Sequence, residues 1–141
     1  MIAIDTNVLL RYLLVDDNVQ SKKATRLIDS NDSVYVSHVV LVEAIWTLKG
    51  KKYKLTPIQI EQTVTALFEQ TNIVIQDDDL VWRALVDFRE NAVDKNVNVD
   101  FPDALIFHLG KDAAEQYGES FGGFFSFDSN ARKAFVEAKA P

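Results

Sequence analysis

Met1-Ile2-Ala3-Ile4-Asp5-Thr6-Asn7-Val8-Leu9-Leu10-Arg11 opens the chain. Its first four residues are apolar and fit a short buried strand, and Asp5 stands where that strand ends. Val8–Val15 then reads as a short helix that offers Leu9, Leu10, Leu13 and Leu14 for burial. The same succession recurs downstream. Val34–Ser37 is strand-like and leads into Val39–Lys49, Ile73–Ile75 precedes an amphipathic stretch at Asp79–Glu90, and Phe124–Phe127 closes on Asp128 ahead of a helix at Asn130–Ala138. Strands separated by helices or helix pairs predict βαβ units, because parallel neighbours need a long crossover. The expected fold is α/β in three layers: a short parallel sheet of at least four strands flanked by helices.

The remaining segments fit that frame. Asn18–Ser30 is a helix with Ala24, Leu27 and Ile28 inward and Lys22, Lys23 and Arg26 outward. Val39–Lys49 is apolar almost all round, which suits a buried helix, and Gly50 is placed to end it. Thr56, Pro57 and Gln59 match an N-cap, a first-turn proline and a capping-box partner for a helix running to about Gln70. Residues 91–99 read as a polar connection. Asp100–Tyr117 reads as a helix with Pro102 in its first turn and Gly118 behind it.

With 141 residues, 48% of them hydrophobic, a single domain over residues 1–141 is expected. No Cys is present, so disulfides, thiol catalysis and thiolate zinc sites are excluded. No apolar run approaches the roughly 18 residues of a membrane span, and Met1–Asp5 lacks the features of a secretory signal, so a soluble cytoplasmic protein is expected. The net charge of −6 is unevenly spread. Residues 1–56 carry eight Lys/Arg against six Asp/Glu, and residues 57–141 carry seven against fifteen. A basic face can therefore coexist with an acidic total.

Four acidic residues are poorly explained by local structure alone. Asp5 sits between two apolar runs, where a charge is costly to bury, although it could also cap the helix that follows. Glu43 is embedded among Val39, Val40, Leu41, Val42, Ala44, Ile45 and Trp46; the alternative is a narrow solvated stripe shared with Thr47. Asp103 lies one helical turn after Asp100, on the same side, where the helix dipole also favours an acid. Asp128 ends its strand as Asp5 ends the first one. In open parallel sheets ligands bind beyond the carboxyl ends of the strands, which is where these acids are expected. Oxygen ligands without Cys suit a hard cation, Mg²⁺ or Mn²⁺, and such ions serve phosphoryl transfer.

The stretch Ile4–Arg11, the embedded Glu43, the run Asp100-Phe101-Pro102-Asp103-Ala104-Leu105-Ile106 and the late Phe125-Ser126-Phe127-Asp128 together resemble the PIN-domain family. Within it they are similar to the VapC ribonuclease toxins of VapBC toxin–antitoxin pairs, with the motifs in order over essentially the whole chain. The resemblance implies a three-layer α/β fold and a metal-dependent endoribonuclease. It places the Mg²⁺- or Mn²⁺-binding, catalytic acids at Asp5, Glu43, Asp103 and Asp128, supported by Thr6, Asn7 and Ser126. Asp100 would be a fifth acid at the rim. It also implies an RNA substrate cut to a 5′-phosphate and a 3′-hydroxyl, a small VapB-like antitoxin, and a homodimer. Arg11, Lys49, Lys51, Lys52 and Arg132 are candidates for holding substrate phosphates.

Other readings remain open at this level. His38 and His108 could act as base and acid in a metal-free ribonuclease, although both sit where packing or capping residues are common. Asp5-Thr6-Asn7 also resembles the opening of haloacid-dehalogenase-type phosphatases, but Asn7 stands where that family has a second acid. A PIN-like module that binds without cutting is a further alternative; all four acidic positions being filled favours an enzyme. PIN nucleases outside toxin–antitoxin systems, acting in RNA processing or on DNA, are the last. They are typically embedded in larger proteins, so a chain of this length favours the toxin type.

Overall fold

Val34 and Val36 have no solvent exposure, as a central strand of a covered parallel sheet requires. They belong to β2 (Val34–Val36), which lies between β1 (Ile2–Ala3) and β3 (Ile73–Ile75). All three strands run parallel, with Ile2 opposite Val34, and Val34, Tyr35 and Val36 opposite Ile73, Val74 and Ile75. Helices α1 (Thr6–Leu14) and α2 (Asn18–Asp29) make the first crossover, and α3 (His38–Lys49) and α4 (Pro57–Phe68) the second. The computed structural model describes Met1–Pro141 as two compact units, Met1–Asp78 and Asp79–Pro141.

In the first unit α1 packs on α2 and α3, α3 on α4, and α4 on β3. Leu9, Ile28, Leu41, Ile45, Leu48, Ile60 and Leu67 are buried; each such side chain contributes about 1.5–3 kcal/mol of apolar transfer free energy. Each helix start has its cap. Asp5, Asp17, Ser37 and Thr56 accept from backbone N–H groups of α1 to α4 in turn, and Thr56 with Gln59 forms the expected capping box.

Gly50 ends α3 as expected but by a different route. Its backbone is extended (φ −67°, ψ −178°) rather than left-handed. A Cβ there would lie 3.3 Å from the carbonyl oxygens of both Trp46 and Thr47, so close approach, not conformational freedom, calls for glycine. The left-handed cap is instead at Val15 behind α1, with φ 50°. A β-branched residue there stores strain of about 1–2 kcal/mol. Val15→Asn is accordingly expected to stabilise the chain by about 1 kcal/mol, because Asn tolerates this region. A urea midpoint that rises with an unchanged slope would show it; an unmoved midpoint would mean that the corner holds no strain.

In the second unit α5 (Asp78–Val93, its first residue still in the first unit) precedes α6 (Phe101–Gln116), β4 (Phe124–Phe125), α7 (Ser129–Ala134) and β5 (Ala138–Lys139). β4 and β5 pair in parallel. Phe107 is the centre of its core. It stacks on Phe135 at 4.4 Å between centroids and meets Phe121 and Phe124 edge-on.

The α/β class with short parallel strands and flanking helices is as expected. The five strands divide into ladders of three and two. Several expected boundaries move: α1 already begins at Thr6, where Asp5 caps it, and three shifts in the second unit have a visible cause. α5 continues to Val93 because Asn91 stays in the helix, its Nδ2 donating to the Asp87 carbonyl at 2.8 Å. β4 stops at Phe125, where a turn takes over: the Asp128 N–H donates to Ser126 Oγ and Arg132 Nη1 donates to the Ser126 and Phe127 carbonyls. The last helix ends at Ala134 rather than Ala138. Phe135 is extended, and the chain turns into β5; the carbonyls of Glu137, just before it, and of Lys139, within it, accept from Phe124 N and Ser126 N. β5 thus satisfies an edge that a longer helix would leave open. No helix is long and apolar enough to cross a membrane.

Candidate functional site

Parallel strands place every carboxyl end on the same edge of the β1–β2–β3 sheet, and that edge carries the first two candidate acids. Asp5 follows β1 and caps α1, its Oδ1 accepting from Val8 N at 2.8 Å. One carboxylate oxygen, Oδ1, serves the helix, and Oδ2 is not part of that cap. The capping reading and the ligand reading are therefore compatible, since they use different oxygens.

Glu43 lies on α3, which starts from the end of β2. The Thr6 hydroxyl donates to Glu43 Oε2 at 2.5 Å, so the residue after Asp5 is tied to the carboxylate of the next crossover. Glu43 is exposed despite its apolar neighbours. Leu41, Ala44, Ile45 and Leu48 are buried, while Val39, Glu43 and Trp46 share the outer side. Thr47 bonds back to the Glu43 carbonyl at 2.9 Å. Thr6 thus has the supporting place that the resemblance implies, orienting a carboxylate by a charge-assisted bond. Asn7, also exposed, follows it on α1.

In the second unit, Asp100 occupies the N-cap position of α6, yet its side chain makes no capping hydrogen bond. Asp103 is half-buried in the first turn, with Pro102 beside it. Asp128 repeats the arrangement of Asp5: Oδ1 accepts from Asn130 N at 2.8 Å and caps α7. Ser126 holds the preceding turn through its hydroxyl. Within neither unit do three His, Asp or Glu side chains group closely enough to hold a metal by themselves. In the first unit the donors are the Asp5 carboxylate at the start of α1 and the hydroxyl-oriented Glu43 carboxylate on α3, oxygen groups that suit a hard cation and not a soft one.

The basic candidates divide. Arg11 donates through Nε to Gln20 Oε1 and through Nη1 to Asp16 Oδ1, both at 2.7 Å. Asp16 also accepts from the Tyr53 hydroxyl at 2.8 Å. Tyr53 first and Arg11 second hold the Asp16 carboxyl below its usual range. Sequence alone missed this Asp16 network, because Asp16 reaches Tyr53 across 37 positions and no local spacing announces it. Arg132 clamps the turn that carries Asp128, so its Nη1 positions the loop. Lys51 and Lys52 are exposed after α3, with Lys52 Nζ 5.0 Å from the Tyr53 ring centroid; Lys49 is half-buried.

Both histidines are tied internally. His38 Nε2 lies 2.8 Å from the Gln76 carbonyl, and His38 N donates to Gln76 Oε1 at 3.0 Å, joining the ends of β2 and β3. His108 Nε2 lies 2.6 Å from Asp87 Oδ2, joining α6 to α5. Each Nε2 is thus committed to an internal partner, as packing residues would be.

Comparison with known proteins adds the following. A model of the PIN domain family matches residues 2–134. Among solved structures, VapC20 of Mycobacterium tuberculosis, described as a toxin that cleaves the sarcin–ricin loop, aligns at 20% identity over 97% of this chain and 98% of that one, with a TM-score of 0.42. A search of curated proteins gives no match.

Proposed function

The chain belongs to the PIN domain family, and from that membership we propose that residues 1–141 act as one metal-dependent endoribonuclease, the toxin of a VapBC-type pair. The observation that carries this reading is the family match over residues 2–134. The arrangement at the β1 edge supports it. Asp5, Glu43, Asp103 and Asp128 are the residues that would hold Mg²⁺ or Mn²⁺. Such an ion, when bound, supplies positive charge beside a phosphate and makes water a better nucleophile at neutral pH.

The protein's own residues have defined tasks in this reading. Asp5 Oδ1 and Asp128 Oδ1 fix their carboxylates against α1 and α7, leaving the other oxygen to a ligand. Thr6 holds Glu43 in one orientation, which limits the entropy lost when a ligand is taken up. Ser126 and Arg132 set the turn before Asp128. Lys51 and Lys52 are the exposed cations for flanking phosphates. A small antitoxin, a homodimer and a cytoplasmic location complete the proposal.

The test is cleavage of total bacterial RNA by the purified chain with Mn²⁺ or Mg²⁺. Discrete products that vanish with chelator and with Asp103→Asn are expected. Cleavage that survives both would overturn the carboxylate reading and return His38 and His108 to consideration.

A further inference from the structure

Helices α1 and α2 enclose an open groove of about 230 Å³, smaller than the roughly 300 Å³ at which drug-sized pockets begin. Its floor is apolar, made by Val8, Ala24 and Leu27, and it starts at Asn7, two residues beyond Asp5. Arg11 lines one side. That guanidinium is held by Gln20 at Nε and by Asp16 at Nη1, and Asp16 is itself held by Tyr53. Pinning the edge of a guanidinium fixes its plane and leaves the face as a stacking surface. Lys23 lines the groove, with Lys22 and Arg26 next to it on the exposed side of α2. In a chain of net charge −6, these three cations within five residues make a local basic strip.

We propose that this groove is a nucleobase subsite: one unstacked base of a single-stranded RNA lies on Val8, Ala24 and Leu27 against the Arg11 plane, while Lys23 meets its phosphate. The inference rests on the ribonuclease reading and deepens it, by naming where a nucleotide next to the scissile one is held. Single-stranded RNA is recognised through splayed bases stacked on flat side chains, Arg planes included. The complementarity is specific in kind. An apolar floor suits a base, and a cationic rim suits the polyanion that carries it. Asp16 sharpens the point: by taking an edge of the guanidinium it turns Arg11 from a phosphate hook into a platform.

The test uses the full chain and a mixed-sequence single-stranded RNA decamer, with binding read by anisotropy in chelator and cleavage read separately with Mn²⁺. Leu27→Glu is tolerated by the fold because Leu27 is 41% exposed; Lys23→Ala is the second variant. Each is expected to weaken binding about tenfold. An abasic nucleotide scanned along the decamer should cost the wild type about tenfold at one position and cost Leu27→Glu nothing further there, since the two changes remove one interaction. Wild-type cleavage with unaltered binding by both variants overturns the groove and leaves the ribonuclease reading standing. Insensitivity of the wild type to every abasic position does the same. Absence of both binding and cleavage in the wild type overturns the ribonuclease reading first and the subsite with it. Loss of a co-expressed protein partner by Leu27→Glu, with RNA affinity intact, assigns the groove to protein instead.

Discussion

Asp5→Asn is expected to lower RNA cleavage by about a thousandfold, roughly 4 kcal/mol of transition-state stabilisation, at nearly unchanged stability. The substitution separates the observed cap from the proposed ligand role of this residue. Asn caps helices about as well as Asp, so its Oδ1 can still accept from Val8 N, as Oδ1 of Asp5 does at 2.8 Å. What it loses is the negative charge, together with a second oxygen fit to bind a cation. Asp5→Ala removes both, and a further loss of about 1 kcal/mol in stability is expected from the missing cap. Matched urea curves and initial cleavage rates for the two variants provide the measurement. Wild-type cleavage by Asp5→Asn would reduce Asp5 to a cap. The same pair of substitutions at Asp128, which caps α7 through Asn130 N, should behave in parallel.

The second large effect is structural. Phe107→Ala is expected to destabilise by about 4 kcal/mol, because the truncation loses buried area and leaves a cavity. The ring is 6% exposed. It also makes the stacked contact with Phe135 and edge contacts with Phe121 and Phe124, and such pairs add about 0.5–1.5 kcal/mol each beyond area. Phe135 ends α7 and Phe124 begins β4, so the cluster fixes both sides of the turn that carries Asp128. Hydrogen exchange should therefore rise first in residues 124–139. Phe107→Leu keeps most of the volume and is expected to recover more than half of the loss. A midpoint within about 1 kcal/mol of wild type for Phe107→Ala would mean that the aromatic cluster does not anchor this segment.

Most element types, the Thr56 capping box and the parallel sheet were legible in the sequence, because they depend on short-range chemistry. An apolar run ending in Asp, a Thr-Pro-x-Gln start and an all-apolar helix each specify local backbone with little help from elsewhere. The acids at Asp5 and Asp128 were legible as pairs of strand and helix junctions for the same reason. Their proposed role as metal ligands came from resemblance to a family, and the family itself is established by the match over residues 2–134.

Tertiary structure alone decided the rest. Whether Asp5 caps or stands ready for a ligand is a question about individual oxygens, and only the geometry divides Oδ1 from Oδ2. The apolar neighbours of Glu43 left open whether it sits against buried surface or on a solvated stripe, and it lies on the exposed side of α3; helix rotation is set by what the opposite face packs against. β5 escaped notice because Ala138–Lys139 has no strand signal of its own and becomes a strand only by answering the edge of β4. The Arg11–Asp16–Tyr53 network and the groove it borders join residues up to 42 positions apart. Long-range polar pairs of this kind carry no periodicity, so the chain must fold before its sequence neighbours cease to be its spatial ones.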